Sequence, residues 1–135
     1  MRAYSRLVIV LGALLVAGVP RAAAQEVHEI RMVAAGKREF RFQPSVVTAR
    51  RGDVLLFKAV SGAPHSVVFE GKDLSDDARR KLNAAIPRRA SDLSSPLLTE
   101  GSDYRVVIPA LPAGTYRFYC LPHRAYDMRG EVTID

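Results

Sequence analysis

From residue 27 onward, apolar and polar residues alternate in short runs broken by turn residues, the pattern of strands that bury one face. Val27 to Val33 alternates, with Ile30 and Met32 expected toward a core. Phe40 and Phe42 flank Arg41, and Pro44 interrupts before Val46 and Val47. Arg51-Gly52-Asp53 reads as a turn into a strand over Val54 to Val60, where Leu55 and Phe57 point inward and Lys58 reaches water. The turn cluster Ser61-Gly62-Ala63-Pro64 then delivers the chain into a run over His65 to Phe69.

The period changes between residues 71 and 101. Leu74, Ala78, Leu82 and Ile86 recur at helical spacing, Ser75 is placed to cap, Asp76 and Asp77 favour a positive N-terminus, and Pro87 ends the run. A helix over Asp76 to Ala85 is expected, lying against one edge with Arg79, Arg80 and Lys81 on its outer face. Residues 91–99 have no period and read as a loop. Alternation returns over Tyr104 to Ile108 and over Thr115 to Cys120, where Tyr116, Phe118 and Cys120 share one face and Arg117 and Tyr119 the other. A last strand, Glu131 to Ile134, turns Val132 and Ile134 inward. Six or seven short strands and one small inserted helix predict an all-β sandwich.

The first 24 residues carry a different pattern. Arg2 and Arg6 precede an apolar run from Leu7 to Val19, and Ala22-Ala23-Ala24 follows, so an export signal cleaved after Ala24 is expected. The run is shorter than the roughly 20 apolar residues of a membrane span, which makes an uncleaved anchor the secondary reading and leaves no stable span in the mature form. Residues 25–135 are then one domain, periplasmic or secreted and expected as a monomer. Without residues 1–24 the formal charge falls from +6 to +3, because Arg2, Arg6 and Arg21 leave and no acid does. That excess is too sparse for nucleic-acid binding and fits a solvated face that steers an acidic protein partner.

Candidate chemistry gathers near the C-terminus. Cys120, the only cysteine, lies with His123 and Met128 inside nine residues, and His65 at the mouth of an earlier strand supplies a second imidazole. A single cysteine forms no internal disulfide, and a thiolate held by a metal is sheltered from oxidation. Two imidazoles, a thiolate and a thioether suit one copper ion; thioether is a poor zinc ligand, and a binuclear copper site needs a second bridging cysteine. His28 has no ligand-like neighbour in sequence and is expected to face solvent. No serine triad, phosphate-cradling glycine loop or paired catalytic carboxylates occur in context, so the chain is not read as an enzyme.

The segments Pro64-His65-Ser66-Val67-Val68-Phe69 and Gly114-Thr115-Tyr116-Arg117-Phe118-Tyr119-Cys120, with Pro122, His123, Met128, Gly130 and Val132 following, resemble the cupredoxins, within them the plastocyanin and pseudoazurin group. The resemblance runs from about Phe40 to the C-terminus. It implies an eight-strand Greek-key sandwich with one copper ion (Cu+/Cu2+) near one end, bound by His65, Cys120, His123 and Met128. It also implies an electron port at the His123 ring beside Leu121 and Pro122, with Tyr119 as a candidate second route. A backbone N–H bound to the Cys120 sulfur is expected as well.

Three departures stand out. Ser66 occupies a position where plastocyanins usually have asparagine, Arg124 to Asp127 fill a loop that is commonly glycine-rich, and the acidic patch of plant plastocyanins is not evident. The expected function is a one-electron carrier between redox partner proteins. The alternatives are copper storage or delivery, and a partner-dedicated redox or assembly module docking through the basic helix.

Overall fold

The computed structural model describes Gly18 and residues 23–135, so the expected export signal over residues 1–24 lies, apart from Gly18, Ala23 and Ala24, outside the described residues. Eight strands and one helix follow: β1 (Val27–Gly36), β2 (Glu39–Gln43), β3 (Val46–Ala49), β4 (Val54–Ala59), β5 (Val68–Phe69), α1 (Asp76–Ala85), β6 (Asp103–Val107), β7 (Gly114–Tyr119) and β8 (Arg129–Ile134). They form two four-stranded sheets in the orders β2-β1-β4-β6 and β3-β8-β7-β5. β1 runs parallel to β4 and β3 parallel to β8, while the other neighbours are antiparallel. The chain crosses repeatedly between sheets, as a Greek-key sandwich requires. None of the described helices is long and apolar enough to cross a membrane.

Alternation decides what fills the space between the sheets. Ile30, Met32, Phe42, Leu55, Phe57, Tyr104, Val106 and Ile108 face inward from one sheet, and Phe69, Phe118, Val132 and Ile134 from the other. Phe118 is fully buried and meets Phe42, Phe57 and Phe69 edge-on, with ring centroids 4.9, 5.4 and 5.8 Å away. Such edge-to-face pairs add roughly 0.5–1.5 kcal/mol each beyond the burial itself. This aromatic knot anchors β7, the strand that leads into Cys120.

The helix occupies the expected residues. Ser75 Oγ accepts from the Ala78 N–H at 3.1 Å, and Ala78 and Leu82 are buried. β5 and β6 are edge strands of the two sheets, and in the connection between them Leu82 lines a small internal gap with Leu55, Phe69, Val106 and Tyr116.

The outer face of α1 is less free than the sequence suggests. Arg79 turns back onto the Gly71 carbonyl and Asp92, and both Arg80 and Lys81 pair with Asp77 at 2.7 Å. Lys81 also donates to the Ala110 carbonyl at 3.1 Å.

Two further expectations are corrected. The strand expected over His65 to Phe69 shrinks to Val68–Phe69, because its first residues pair instead with the loop 91–99. His65 and Leu98 exchange both backbone bonds (3.0 and 2.8 Å), and Val67 N–H donates to Ser95 Oγ at 2.9 Å. Leu93, Ser94, Ser95 and Leu98 are buried in consequence. His28 is not a free surface residue either: its Nε2 lies 2.9 Å from Asp53 Oδ2. That carboxylate also accepts from the Arg50 and Glu26 N–H groups, tying the start of β1 to the turn before β4. The His28 bond first, then the Arg50 and Glu26 bonds, hold the Asp53 carboxyl down to about 2 against the opposing effect of burial.

Candidate metal centre

Strand parity delivers the thiol. Tyr116, Phe118 and Cys120 point inward along β7 and its exit, and Cys120 is fully buried. The chain then turns over Pro122 and His123 into a single 3₁₀ turn, Arg124–Tyr126, and a left-handed step at Asp127 (φ 58°). Asp is one of the few non-glycine residues that take that step at modest cost, so a loop without glycine at positions 124–127 still closes. Closure is fixed by backbone bonds: Cys120 N–H donates to the Met128 carbonyl at 3.0 Å, and the Tyr126 and Met128 N–H groups both donate to the His123 carbonyl. Met128 is fully buried at the end of this loop.

The second histidine arrives from the other ligand-bearing segment. Gly62 turns the chain with φ +72°, where a Cβ would come within 2.7 Å of Ala34 and 3.1 Å of Phe40, so glycine allows the turn to pack against β1 and β2. His65, fully buried, then presents Nδ1 at 3.7 Å from Cys120 Sγ, while His123 presents Nδ1 at 3.3 Å. The two nitrogens and the sulfur lie within 4.8 Å of one another. His65 Nε2 sits 2.7 Å from the Ser61 carbonyl, which assigns the ring proton to Nε2 and turns the Nδ1 lone pair toward the sulfur.

The expected sulfur bond is present: Ser66 N–H points at Cys120 Sγ over 3.4 Å. Ser66 Oγ in turn accepts from the Leu121 N–H at 2.9 Å, so a side chain shorter than asparagine still pins the two ligand-bearing segments together.

Burial sets the protonation of the group. It pushes the Cys120 thiol up, offset in part by the hydrogen bonds from Ser66 and His123. It lowers both imidazoles, His123 further through its proximity to His65. Both rings are therefore neutral at pH 7, the form that binds metals. Two neutral imidazole nitrogens and one thiol, buried and without a carboxylate among them, make a soft donor set that fits copper in either oxidation state.

The His123 ring is not bare. Phe40 stacks on it with centroids 3.7 Å apart and planes 13° apart, Tyr126 packs at 5.3 Å against Phe40, and 7% of His123 remains exposed. Sequence reasoning missed this role of Phe40. The available signal was its alternation with Phe42, which put it on the inward face but at the strand's start, where the face meets the end of the sandwich. Leu121 and Pro122, which precede His123 in the chain, are exposed. Tyr119 faces outward beneath the guanidinium groups of Arg124 and Arg129, at 4.9 and 5.9 Å from its ring centre.

The family described as copper binding proteins, plastocyanin/azurin family, matches residues 29–135. Plastocyanin from Vicia faba is 37% identical over 95 residues, 70% of this chain and 87% of that protein. Plastocyanin from Capsella bursa-pastoris is 31% identical over 104 residues, 77% of this chain and 97% of the relative. The solved structure of oxidized plastocyanin from Dryopteris crassirhizoma superposes with a TM-score of 0.63 at 25% identity, covering 80% of this chain and all of the other.

Proposed function

The chain belongs to the plastocyanin/azurin family of copper-binding proteins, and we propose that it is an exported carrier of single electrons between redox partner proteins rather than an enzyme. One observation carries the reading: a buried thiol faces the Nδ1 atoms of two buried imidazoles. His65, Cys120 and His123 would hold the metal, with the Met128 thioether as the fourth, weaker ligand. Bound copper supplies a Cu(II)/Cu(I) couple.

The surrounding chain keeps these donors still. Ser61 fixes the His65 ring, Ser66 holds both the sulfur and the Leu121 backbone, and Phe40 braces His123. Donors that do not move between oxidation states keep the barrier to electron exchange low, which is what a carrier needs. Storage or delivery calls instead for ligands a recipient can reach, and His65, Cys120 and Met128 are all fully buried. Electrons pass through the His123 side, because 7% of His123 is exposed while His65, Cys120 and Met128 are fully buried.

Export to the periplasm or outside the cell, with cleavage after Ala24, is supported by the basic, apolar and small-residue pattern of the first 24 residues. The test is the copper-loaded chain from Gln25. Intense thiolate-to-copper absorption in the red part of the visible spectrum, reversible one-electron reduction and slow loss of Cu(I) to a chelator are expected. Cys120→Ser should abolish the colour; a Cys120→Ser protein that stayed blue would refute the ligand assignment.

A further inference from the structure

Strand parity and one turn gather a second group of donors away from the thiol. Glu26, just before β1, has the same parity as His28, Ile30 and Met32, and His28 is half-buried at the open start of that inward row. Because β1 runs parallel to β4, with Val27 beside Val54, the turn that opens β4 lies at the same end and adds Asp53. Backbone and neighbouring groups tie the two segments independently of these side chains: Val54 N–H donates to the Glu26 carbonyl and Gln25 Nε2 to the Gly52 carbonyl, both at 2.8 Å. One imidazole nitrogen and one oxygen from each carboxylate then lie within 4.8 Å of one another. From His28 to Ala34, the residue paired with Phe40, β1 covers roughly 20 Å, so this group is separate from the donors around Cys120.

Its charge and spacing suit a divalent cation. Neither Glu26 nor Asp53 is paired with a lysine or arginine among the described residues, and the Arg51 side chain turns away to the Leu111 carbonyl at 2.7 Å. Asp53 is buried, yet its hydrogen bonds keep it ionised at neutral pH. With a neutral ring, the form that binds metals, the three side chains carry two negative charges. His28 Nε2 and Asp53 Oδ2 stand 2.9 Å apart. Ligands held at about 2.1 Å from a small divalent ion lie about 3.0–3.4 Å from each other, so this pair needs little opening. Glu26 is exposed, and its carboxylate can swing in as the third ligand.

We propose that Glu26, His28 and Asp53 form a second metal site, for a zinc-class divalent cation, that clamps the start of β1 to the turn before β4. An imidazole with two carboxylates favours zinc over calcium and magnesium, which take oxygen ligands, and over Cu(I), which prefers sulfur. Binding replaces the hydrogen bond between His28 and Asp53: the metal takes the Nε2 lone pair, the ring proton sits on Nδ1, and Asp53 Oδ1 keeps the Glu26 N–H. The site stands apart from the carrier reading, because none of the copper donors belongs to it.

The chain has three histidines, so imidazole-nitrogen NMR can follow each ring separately. The chain from Gln25, loaded with Cu(I) to fill the first site with a diamagnetic ion, is titrated with Zn2+, and the metal-free chain is titrated in parallel. One equivalent of Zn2+ should move the His28 signals to those of a ring metallated at Nε2 and protonated at Nδ1. In the Cu(I) form His65 and His123 should stay where they are. His28→Gln keeps an N–H for Asp53, and in calorimetry it should weaken zinc binding at least about tenfold, as should Glu26→Gln. Calcium at the same concentration should leave the His28 ring unmoved. A His28 ring that ignores excess Zn2+ in both forms of the chain would overturn the site and leave the contact with Asp53 a structural tie. Zinc affinity unchanged in His28→Gln or in Glu26→Gln would overturn the three-donor set.

Discussion

Ser66→Ala isolates the tie between the two ligand-bearing segments. The side chain is buried, and its Oγ accepts from the Leu121 N–H at 2.9 Å, joining residues 55 apart in sequence. Alanine leaves that N–H in a partly buried place with no acceptor, which costs about 1–2 kcal/mol. The Ser66 backbone N–H that points at the Cys120 sulfur survives the change, so the sulfur keeps that donor and loses only the smaller effect of the hydroxyl. With a urea m-value of about 1–2 kcal/mol/M for a chain of this size, the midpoint of metal-free unfolding should fall by about 1 M at constant m. The copper-loaded variant should keep its red absorption, because the substitution touches none of the donors. A midpoint within about 0.1 M of wild type would refute the claim that the hydroxyl joins the segments. Loss of colour with stability unchanged would show instead that the hydroxyl acts on the metal site itself.

Three other substitutions probe the supports of the fold and site. Asp53→Asn tests the cluster with His28: the folded carboxyl is depressed from 3.8 to about 2, so its contribution is complete above about pH 4 and is lost as pH falls toward 2. The variant should lose at most about 2 kcal/mol at pH 7, and its urea stability should fall less than that of wild type between pH 4 and 2; parallel curves would contradict the assignment. Gly130→Ala would put a Cβ 2.5 Å from the Phe118 ring and 3.0 Å from the Ser45 carbonyl, and since Phe118 is wedged among three other phenylalanines it has nowhere to swing. A loss of about 2–3 kcal/mol in chemical denaturation is expected, and wild-type stability would show that β3 and β8 can part without strain. Phe40→Leu keeps an apolar side chain but removes the stack on His123; a loss of about 1 kcal/mol and faster motion of the His123 ring by NMR relaxation are expected, with no change in either measurement counting against the bracing role.

Much of this molecule could be read from periodicity because its strands are short and each buries one face. Parity alone put Cys120 inward beside Phe118, and the Ser75 cap with apolar residues at helical spacing placed α1 where it forms. What escaped were contacts that join distant parts of the chain and leave no period. Residues 91–99 look structureless in sequence because their partner is the His65 to Val68 segment, reached through backbone and serine bonds rather than through an alternating face. His28 looks solitary because Asp53 lies 25 residues away and meets it only when β1 and β4 run parallel. Phe40 meets His123 for a similar reason: the start of β2 and the ligand-bearing loop share only the end of the sandwich.

These long-range contacts account for how the donors are held in place. Each is positioned by a bond to a different part of the fold: His65 by the Ser61 carbonyl and Leu98, Cys120 by Ser66 and the Met128 carbonyl, His123 by Phe40 and the backbone of its own turn. Metal-dependent small domains gain their fold from the metal, because their donors are dispersed in the free chain. Here Cys120 and Met128 belong to the same core cluster as the aromatic knot around Phe118, so metal binding is expected to add stability to packing that the chain's own apolar residues supply. Burial leaves both imidazoles neutral and the thiol protonated, and so the proton on Cys120 is the one the site must release. The donor geometry is thus a property of the sandwich. A metal held there would change oxidation state while these side chains stay where the fold holds them.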